Sequence, residues 1–289
     1  MTEMSGNAMR FVRRELRKVA PRGVGARLKL ARLDLERRLY RRKIDHSEFR
    51  AALLSLGEWK DRPVWVQISL NDFYNVEMRP GDIIEMMMDL VGSKGTLVMP
   101  AFPLDPDPAR ELRIDSAPSS TGLVTEIFRR MPGAERSIHL YSSVAALGPD
   151  AAYLTSGHHL GPYPWGESSP YGRLIELRGL MVGLGIVPLG FTPLHNVECA
   201  LHHQLPAFEN KFPGEVTYAW RRRTGETGIH TTLVREGRIL PGRLVRHLPP
   251  GLLRHSRVSN LTFQSAPAHD AVEALKALAL RNKTIYVGH

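Results

Sequence analysis

The sequence predicts an α/β domain, a single domain with a central mixed sheet flanked by helices, preceded by a basic helical arm. Three observations carry that prediction. Strand-like apolar runs at Val64–Leu70, Thr96–Phe102 and Leu180–Val187 alternate with stretches of helical periodicity. The chain has 289 residues, 43% of them hydrophobic, enough to bury one large core. The net charge of +10 is also unevenly spread. Residues 1–43 hold 14 Lys/Arg against 4 Asp/Glu, whereas the rest of the chain holds 25 of each. The division predicted is therefore an extension over 1–44 and a neutral domain over 45–289.

In the arm, Met9, Val12, Leu16 and Val19 form an apolar stripe among arginines, and Pro21-Arg22-Gly23 interrupts it. Leu28, Ala31, Leu35 and Leu39 form a second stripe leading to Arg41-Arg42-Lys43. Basic amphipathic helices suit an anionic membrane surface, the domain itself or a second subunit in a homo-oligomer. No aromatic platform or nucleic-acid motif accompanies the arginines, so nucleic acid is not an expected partner.

The body opens with a short helix at Ser47–Leu56, the strand Val64–Leu70, and an amphipathic helix at Gly81–Val91 carrying Ile83, Ile84, Met87, Met88 and Val91. Gly92–Gly95 turns into the strand Thr96–Phe102. A helix at Gly122–Met131 and strands at Ser143–Leu147 and Leu180–Val187 continue the alternation. Residues 103–121 and 157–170 are rich in proline and glycine and read as long loops, which often carry function. Beyond residue 203 come β-like runs at Val216–Arg221 and Thr231–Arg235, and a basic proline-rich loop around 245–257. A helix at Asp270–Leu280 and a final strand at Thr284–Val287 complete the pattern. No run of 18 apolar residues, no signal-like N-terminal segment and a single cysteine, Cys199, predict a cytoplasmic protein, with membrane association only through the arm.

The chemistry-bearing stretch is F-T-P-L-H-N-V-E-C-A-L-H-H, residues 191–203, after the Leu180–Val187 strand. It places Thr192, His195 and Glu198 at a strand-to-helix turn. His195 and Glu198 are three apart, so on a helix a carboxylate can orient an imidazole for proton transfer. A capping and surface pair has the same spacing. Cys199 reads as a packed residue or as a nucleophile beside His195. His195, Glu198 and His202, with His139, His158, His159 and His203, also admit a zinc or manganese site for a hydrolase.

Several blocks in order bear a family resemblance: G-S-K-G-T-L-V-M-P (92–100), P-S-S-T-G-L-V-T-E-I-F-R-R-M-P-G (118–133) and R-S-I-H-L-Y-S-S-V-A-A-L-G (136–148). G-E-S-S-P-Y-G-R-L (166–174), G-L-M-V-G-L-G (179–185) and T-P-L-H-N-V-E (192–198) follow. Together they resemble the aminoglycoside 3-N-acetyltransferase family over roughly residues 45–289. The resemblance implies acetyl-CoA as co-substrate, no metal, and a small-molecule amine as acceptor. It implies His195 as the base that deprotonates the amine, Glu198 as its orienter and Thr192 as an oxyanion donor.

Cofactor contacts implied by the resemblance are Ser69, Leu70, Arg136, Ser137 and His139. The chain departs from the family at Gln67-Ile68, at Ala101 and Pro103, and at Leu140. It also lacks an acid in Ile186–Phe191, where family members acting on aminoglycosides often carry one. Glu167, Asp72 and Asp105 are the acids left to meet the acceptor, while Pro164, Trp165 and Phe191 suggest an apolar or ring-stacking cleft. An amino sugar of a surface polysaccharide, or its precursor, is therefore the expected acceptor. The alternatives are an aminoglycoside acceptor with antibiotic resistance, a metal-dependent hydrolase and a catalytically inactive binding protein.

Overall fold

The computed structural model describes residues 38–287, together with Ala31 and Asp34. Of the expected amphipathic stripes, all but Ala31 and Leu39 lie outside the described residues. Residues from Ile44 onward form one compact unit.

Helix α1 (His46–Leu54) starts where Asp45 accepts the Glu48 amide at 2.9 Å and buries Phe49 and Leu53. Strand β1 (Pro63–Ile68) follows. Helix α2 (Pro80–Val91) has its proline in the first turn and Asp82 accepting the Arg79 amide at 2.9 Å. Its Ile83, Ile84, Met87 and Val91 share one buried face. Strand β2 (Thr96–Pro100) is buried along its whole length, and a short β3 (Leu112–Arg113) follows. Next come α3 (Leu123–Phe128), β4 (Glu135–Arg136), β5 (Val144–Leu147), α4 (Ala151–Ser156), α5 (Pro170–Glu176) and β6 (Leu180–Leu184).

A 3₁₀ turn (Thr192–His195) runs directly into α6 (Asn196–Ala200), followed by α7 (Pro206–Glu209). β7 (Gly214–Arg221) and β8 (Thr227–Val234) form an antiparallel hairpin. β9 (Arg254–Val258), β10 (Leu261–Pro267) and α8 (Ala268–Ala279) close the order.

The main sheet has seven strands in the order β4-β5-β2-β1-β6-β10-β9, and β3, β7 and β8 form a second sheet. β1 is parallel to both β2 and β6, while β5 and β10 pair antiparallel on either side. The expected mixed sheet is therefore present. Val64 and Val66 of β1 pack against α1 and α2, whereas Trp65 points to the opposite core with Tyr171, Leu194 and Val272. Both faces are covered, so the central strands read as continuous apolar runs.

Two expectations need correction. The expected terminal strand over 284–287 is a single antiparallel bridge between Tyr286 and Ile239. The strands that fill that side of the sheet are β9 and β10, from a stretch whose first part reads as a basic loop. β9 is the edge strand, so Arg254, His255 and Arg257 point to water and hide its periodicity.

Candidate active site

The site lies at the carboxyl ends of the parallel strands β1 and β6, where open α/β sheets commonly bind ligands. The Ser69 amide donates to the Leu184 carbonyl at 2.9 Å and ties the two ends together. Gly185 (φ 66°) and Leu189 (φ 58°) then turn the chain through left-handed backbone into the Thr192–His195 turn.

Within that turn, His195 Nδ1 bonds Oε1 of Glu198. The carboxylate side chain is 2% exposed and the imidazole 12%, so the acid is enclosed while the ring keeps one edge outward. A carboxylate accepts, so Nδ1 carries the hydrogen and the lone pair falls on Nε2. The second oxygen, Oε2, accepts the phenolic hydrogen of Tyr286. Both carboxylate oxygens are thus held by named donors.

Trp165 covers the imidazole, with ring centroids 4.6 Å apart at 35°. Asn196, next to His195, donates to the Trp165 carbonyl at 2.9 Å and fixes that loop to the helix start. Of the three residues expected to make an apolar or ring-stacking cleft, Trp165 lies over His195, whereas Pro164 and Phe191 are buried. Tyr286 is the residue that the sequence did not suggest. It stands 88 positions from Glu198, so no local spacing connects them.

Gln67 is a second unanticipated contributor. Its side chain donates to the Gly190 carbonyl at 2.9 Å. Its oxygen accepts from the Thr192 amide at 3.1 Å and from the Thr192 hydroxyl at 3.0 Å. One amide side chain thus clamps the loop that delivers His195. The clamp also occupies the Thr192 hydroxyl hydrogen, the donor that the sequence suggested for an oxyanion.

Ser69 and Leu70 are half-buried at the end of β1, and the Ser69 hydroxyl accepts from Asn71 at 3.1 Å. Arg136, Ser137 and His139, implied as cofactor contacts, lie in the core instead. The Arg136 guanidinium serves the carbonyls of Ile114, Ala117 and Ala101, and burial pulls it down to about 10. Ser137 bonds His158 at 2.8 Å and accepts the Val144 amide at 2.8 Å. His139 Nδ1 accepts the Tyr141 and Ser142 amides at 3.1 Å, and its Nε2 meets Thr232 at 3.0 Å. Burial first, then His158 and His230, holds His139 well below the usual histidine range. The family-like block 136–148 therefore braces the fold.

Of the three acids expected to meet the acceptor, Glu167 is exposed two residues beyond Trp165, Asp72 is half-buried in the turn after β1, and Asp105 is exposed in the loop after β2. The partners of the Glu198 carboxylate are His195 and Tyr286. Cys199 is buried, and burial pushes its thiol well up, with Glu198 adding to the effect. No thiolate is available there at neutral pH.

α6 ends at Ala200, so His202 leaves the face of His195 and bonds Tyr163 at 2.9 Å and the Glu209 carbonyl at 3.2 Å. Among the described residues, no three His, Cys, Asp or Glu side chains converge as a metal site. Nor, among them, is any helix long and apolar enough to cross a membrane.

A family model described as aminoglycoside 3-N-acetyltransferase matches residues 65–279. Aminoglycoside N(3)-acetyltransferase IX of Micromonospora chalcea is 34% identical over 135 residues, covering 40% of this chain and 48% of that relative. Aminoglycoside N(3)-acetyltransferase IV of Salmonella sp is 33% identical over 153 residues, covering 53% and 58% respectively. The chain thus spans about half the length of the curated relatives it matches.

Among solved structures, aminoglycoside acetyltransferase AAC(3)-Xa superposes with a TM-score of 0.68 at 23% identity, over 88% of this chain and 99% of that one. AAC-VIa bound to sisomicin gives 0.67 at 24% identity, over 83% and 98%. These likenesses establish the fold.

Proposed function

This chain belongs to the aminoglycoside 3-N-acetyltransferase family, and from that premise we propose that it transfers an acetyl group from acetyl-CoA to a primary amine of a sugar. The observation that carries the reading is the His195–Glu198 pair, with Glu198 enclosed and His195 at the carboxyl ends of β1 and β6. An ammonium has no lone pair, so the acceptor must lose a proton before it can attack a thioester. His195 Nε2 takes that proton while Glu198 holds the opposite nitrogen. The amine nitrogen then bonds the acetyl carbon, the carbon–sulfur bond breaks, the imidazolium returns its proton to the departing thiolate, and the freed imidazole takes the second nitrogen proton as the neutral amide forms and passes it to water.

The residues present suit a thioester with an amide-rich arm. Ser69, half-buried at the mouth of β1, accepts from Asn71 and keeps its own hydroxyl hydrogen to donate. A solved relative is described as AAC-IIIb binary with CoASH, which favours the same co-substrate. Arg136, Ser137 and His139 are occupied in the core, so donor binding falls to Ser69, Leu70 and the Thr192 turn.

For the acceptor, the absence of an acid in Ile186–Phe191 favours a less cationic amine, such as an amino sugar of a surface polysaccharide or its precursor. A second reading, an aminoglycoside acceptor, is favoured by the names of the relatives, one of them solved with sisomicin. The charge of residues 1–43 supports peripheral contact with an anionic membrane surface, tested by vesicle binding with and without that segment.

Thiol release from acetyl-CoA in the presence of an amine panel tests the central reading. His195→Ala should lower turnover by about 10²–10⁴-fold. Undiminished thiol release in that variant would overturn the assignment.

A further inference from the structure

Two cations stand beside the dyad, and nothing in the proposed reaction uses them. Arg235 follows β8 directly. Its guanidinium carbon lies 5.9 Å from the Trp165 ring centre and 5.7 Å from that of Tyr286. Lys211 places its ammonium 4.7 Å from the Tyr286 ring centre. These are the two rings that touch the dyad, since Trp165 covers His195 and Tyr286 donates to Glu198.

Neither cation is neutralised by an ion pair among the described residues. Among the described residues, no carboxylate lies within ion-pair distance of Arg235 or Lys211, and both oxygens of Glu198 are already engaged. Arg235 makes two long bonds, each 3.4 Å and both from Nη1, to the Gly237 carbonyl and the Tyr286 hydroxyl. Its Nε and Nη2 have no protein acceptor among the described residues. Arg235 and Lys211 are half-buried, so the charges are partly shielded from water.

Aromatic faces attract a guanidinium and hold its fork flat, so little freedom is lost when an oxyanion arrives. A planar fork with two spare donors matches a phosphate or carboxylate in a two-point contact. A polyammonium ligand meets the opposite condition there, because like charges repel in a partly dry cleft.

We propose that Arg235, backed by Trp165 and Tyr286 and reinforced by Lys211, is an anion-binding subsite of the acceptor cleft. The acceptor is then an amine that also carries a phosphate or carboxylate, rather than a polycation. This inference rests on the proposed acetyl transfer and names the substrate class of that site. A phosphate of the donor could in principle meet the same fork, so the test separates the two sources.

The test measures initial rates of thiol release with glucosamine 6-phosphate, glucosamine and sisomicin as acceptors, on the full chain. The phosphorylated amine should exceed glucosamine in kcat/KM by at least about 10-fold at low salt, with sisomicin lowest. That preference should shrink as salt rises. Arg235→Gln should bring the ratio near one by raising KM for the phosphorylated amine, with KM for acetyl-CoA holding. Arg235→Lys, which keeps the charge but loses the fork, should restore part of it.

Sisomicin as the preferred acceptor would overturn the proposal while leaving acetyl transfer intact. A rise in KM for acetyl-CoA alone would also overturn it, by assigning the cation to the donor. No thiol release with any amine would overturn both readings.

Discussion

Tyr286 donates its phenolic hydrogen to Oε2 of Glu198, the carboxylate oxygen that His195 does not use. The dyad is therefore anchored from outside its own helix, by a residue beyond the span that the family model matches. A carboxylate on one short helix can rotate about its side-chain bonds, and a donor on its far oxygen removes that freedom. The Tyr286 main chain is fixed too, since Arg243 donates to its carbonyl at 2.8 Å and Val287 bonds the Arg238 carbonyl at 3.0 Å.

Tyr286 is on this view a positioning residue. Tyr286→Phe keeps the ring and the cations over it but removes the hydrogen bond to Glu198, together with the long bond from Arg235. Such bonds are worth about 1.5–3 kcal/mol, so kcat should fall by about 10-fold or more. KM for acetyl-CoA should change little, and the melting temperature should fall by only a few degrees. Full kcat per folded molecule alongside that loss of stability would instead mark the tyrosine as part of the general packing.

The Gln67 clamp yields a second expectation. Gln67→Leu removes three hydrogen bonds and strands the Gly190 carbonyl and the Thr192 amide. The loss in stability should be about 2 kcal/mol, read as a shift in the denaturant midpoint. Turnover should fall further than stability predicts, because the loop also sets the position of His195. A variant with full turnover per folded molecule would show that the turn holds its shape without the clamp.

How far the site was legible follows from where its parts sit in the chain. His195 and Glu198 declare themselves through a spacing of three, since both belong to one turn of chain. Trp165 was visible as an aromatic residue in a loop, although only the fold brings it over the imidazole. Tyr286 is joined to Glu198 by tertiary contact alone, and its segment read as a strand, which drew attention to pairing rather than to its hydroxyl. Gln67 looked like the loss of a family residue, yet in this fold it provides the clamp. Arg136, Ser137 and His139 form a polar block whose sequence carries no sign of burial, whereas the fold encloses all three and gives their polar atoms internal partners.

The fold follows the same division. β1, β2 and β6 are covered on both faces, so their sequences are nearly continuous apolar runs that announce strands. β9 at the edge carries Arg254, His255 and Arg257 in place of an apolar run, so nothing sets it apart from the neighbouring prolines and arginines.

Gly172 links α5 to the loop that bears Trp165. A Cβ at that position would stand 2.4 Å from the Glu167 carbonyl oxygen and 2.5 Å from that of Gly166. Both obstacles are backbone, so they cannot rotate away as a side chain would. Gly172→Ala should cost about 1–3 kcal/mol and displace the loop from His195. Crystallography of the variant, or quenching of Trp165 fluorescence by the imidazole, would report the shift. An unmoved loop with normal turnover would contradict the coupling.

The last expectation concerns acid. His158 and His230 are buried, and burial first of all depresses both, His158 to about 3 and His230 to about 4. His158 is held neutral between the Ser137 hydroxyl and the Pro164 carbonyl, each at 2.8 Å. In the unfolded chain a histidine takes up its proton near 6.5. Between these values the unfolded state binds more protons than the folded one, so stability rises with pH across that window. Their contribution is fully present above about 6.5 and is lost as pH falls towards 4. The slope is about 1.4 kcal/mol per pH unit for each histidine kept neutral. Urea midpoints at pH 7.5 and pH 5.0 should therefore differ steeply in the parent protein. His158→Gln has no proton to gain, so it should start less stable at pH 7.5 and lose less on acidification. Equal acid sensitivity in the two proteins would mean that His158 does not set the slope, and that the loss arises from other groups.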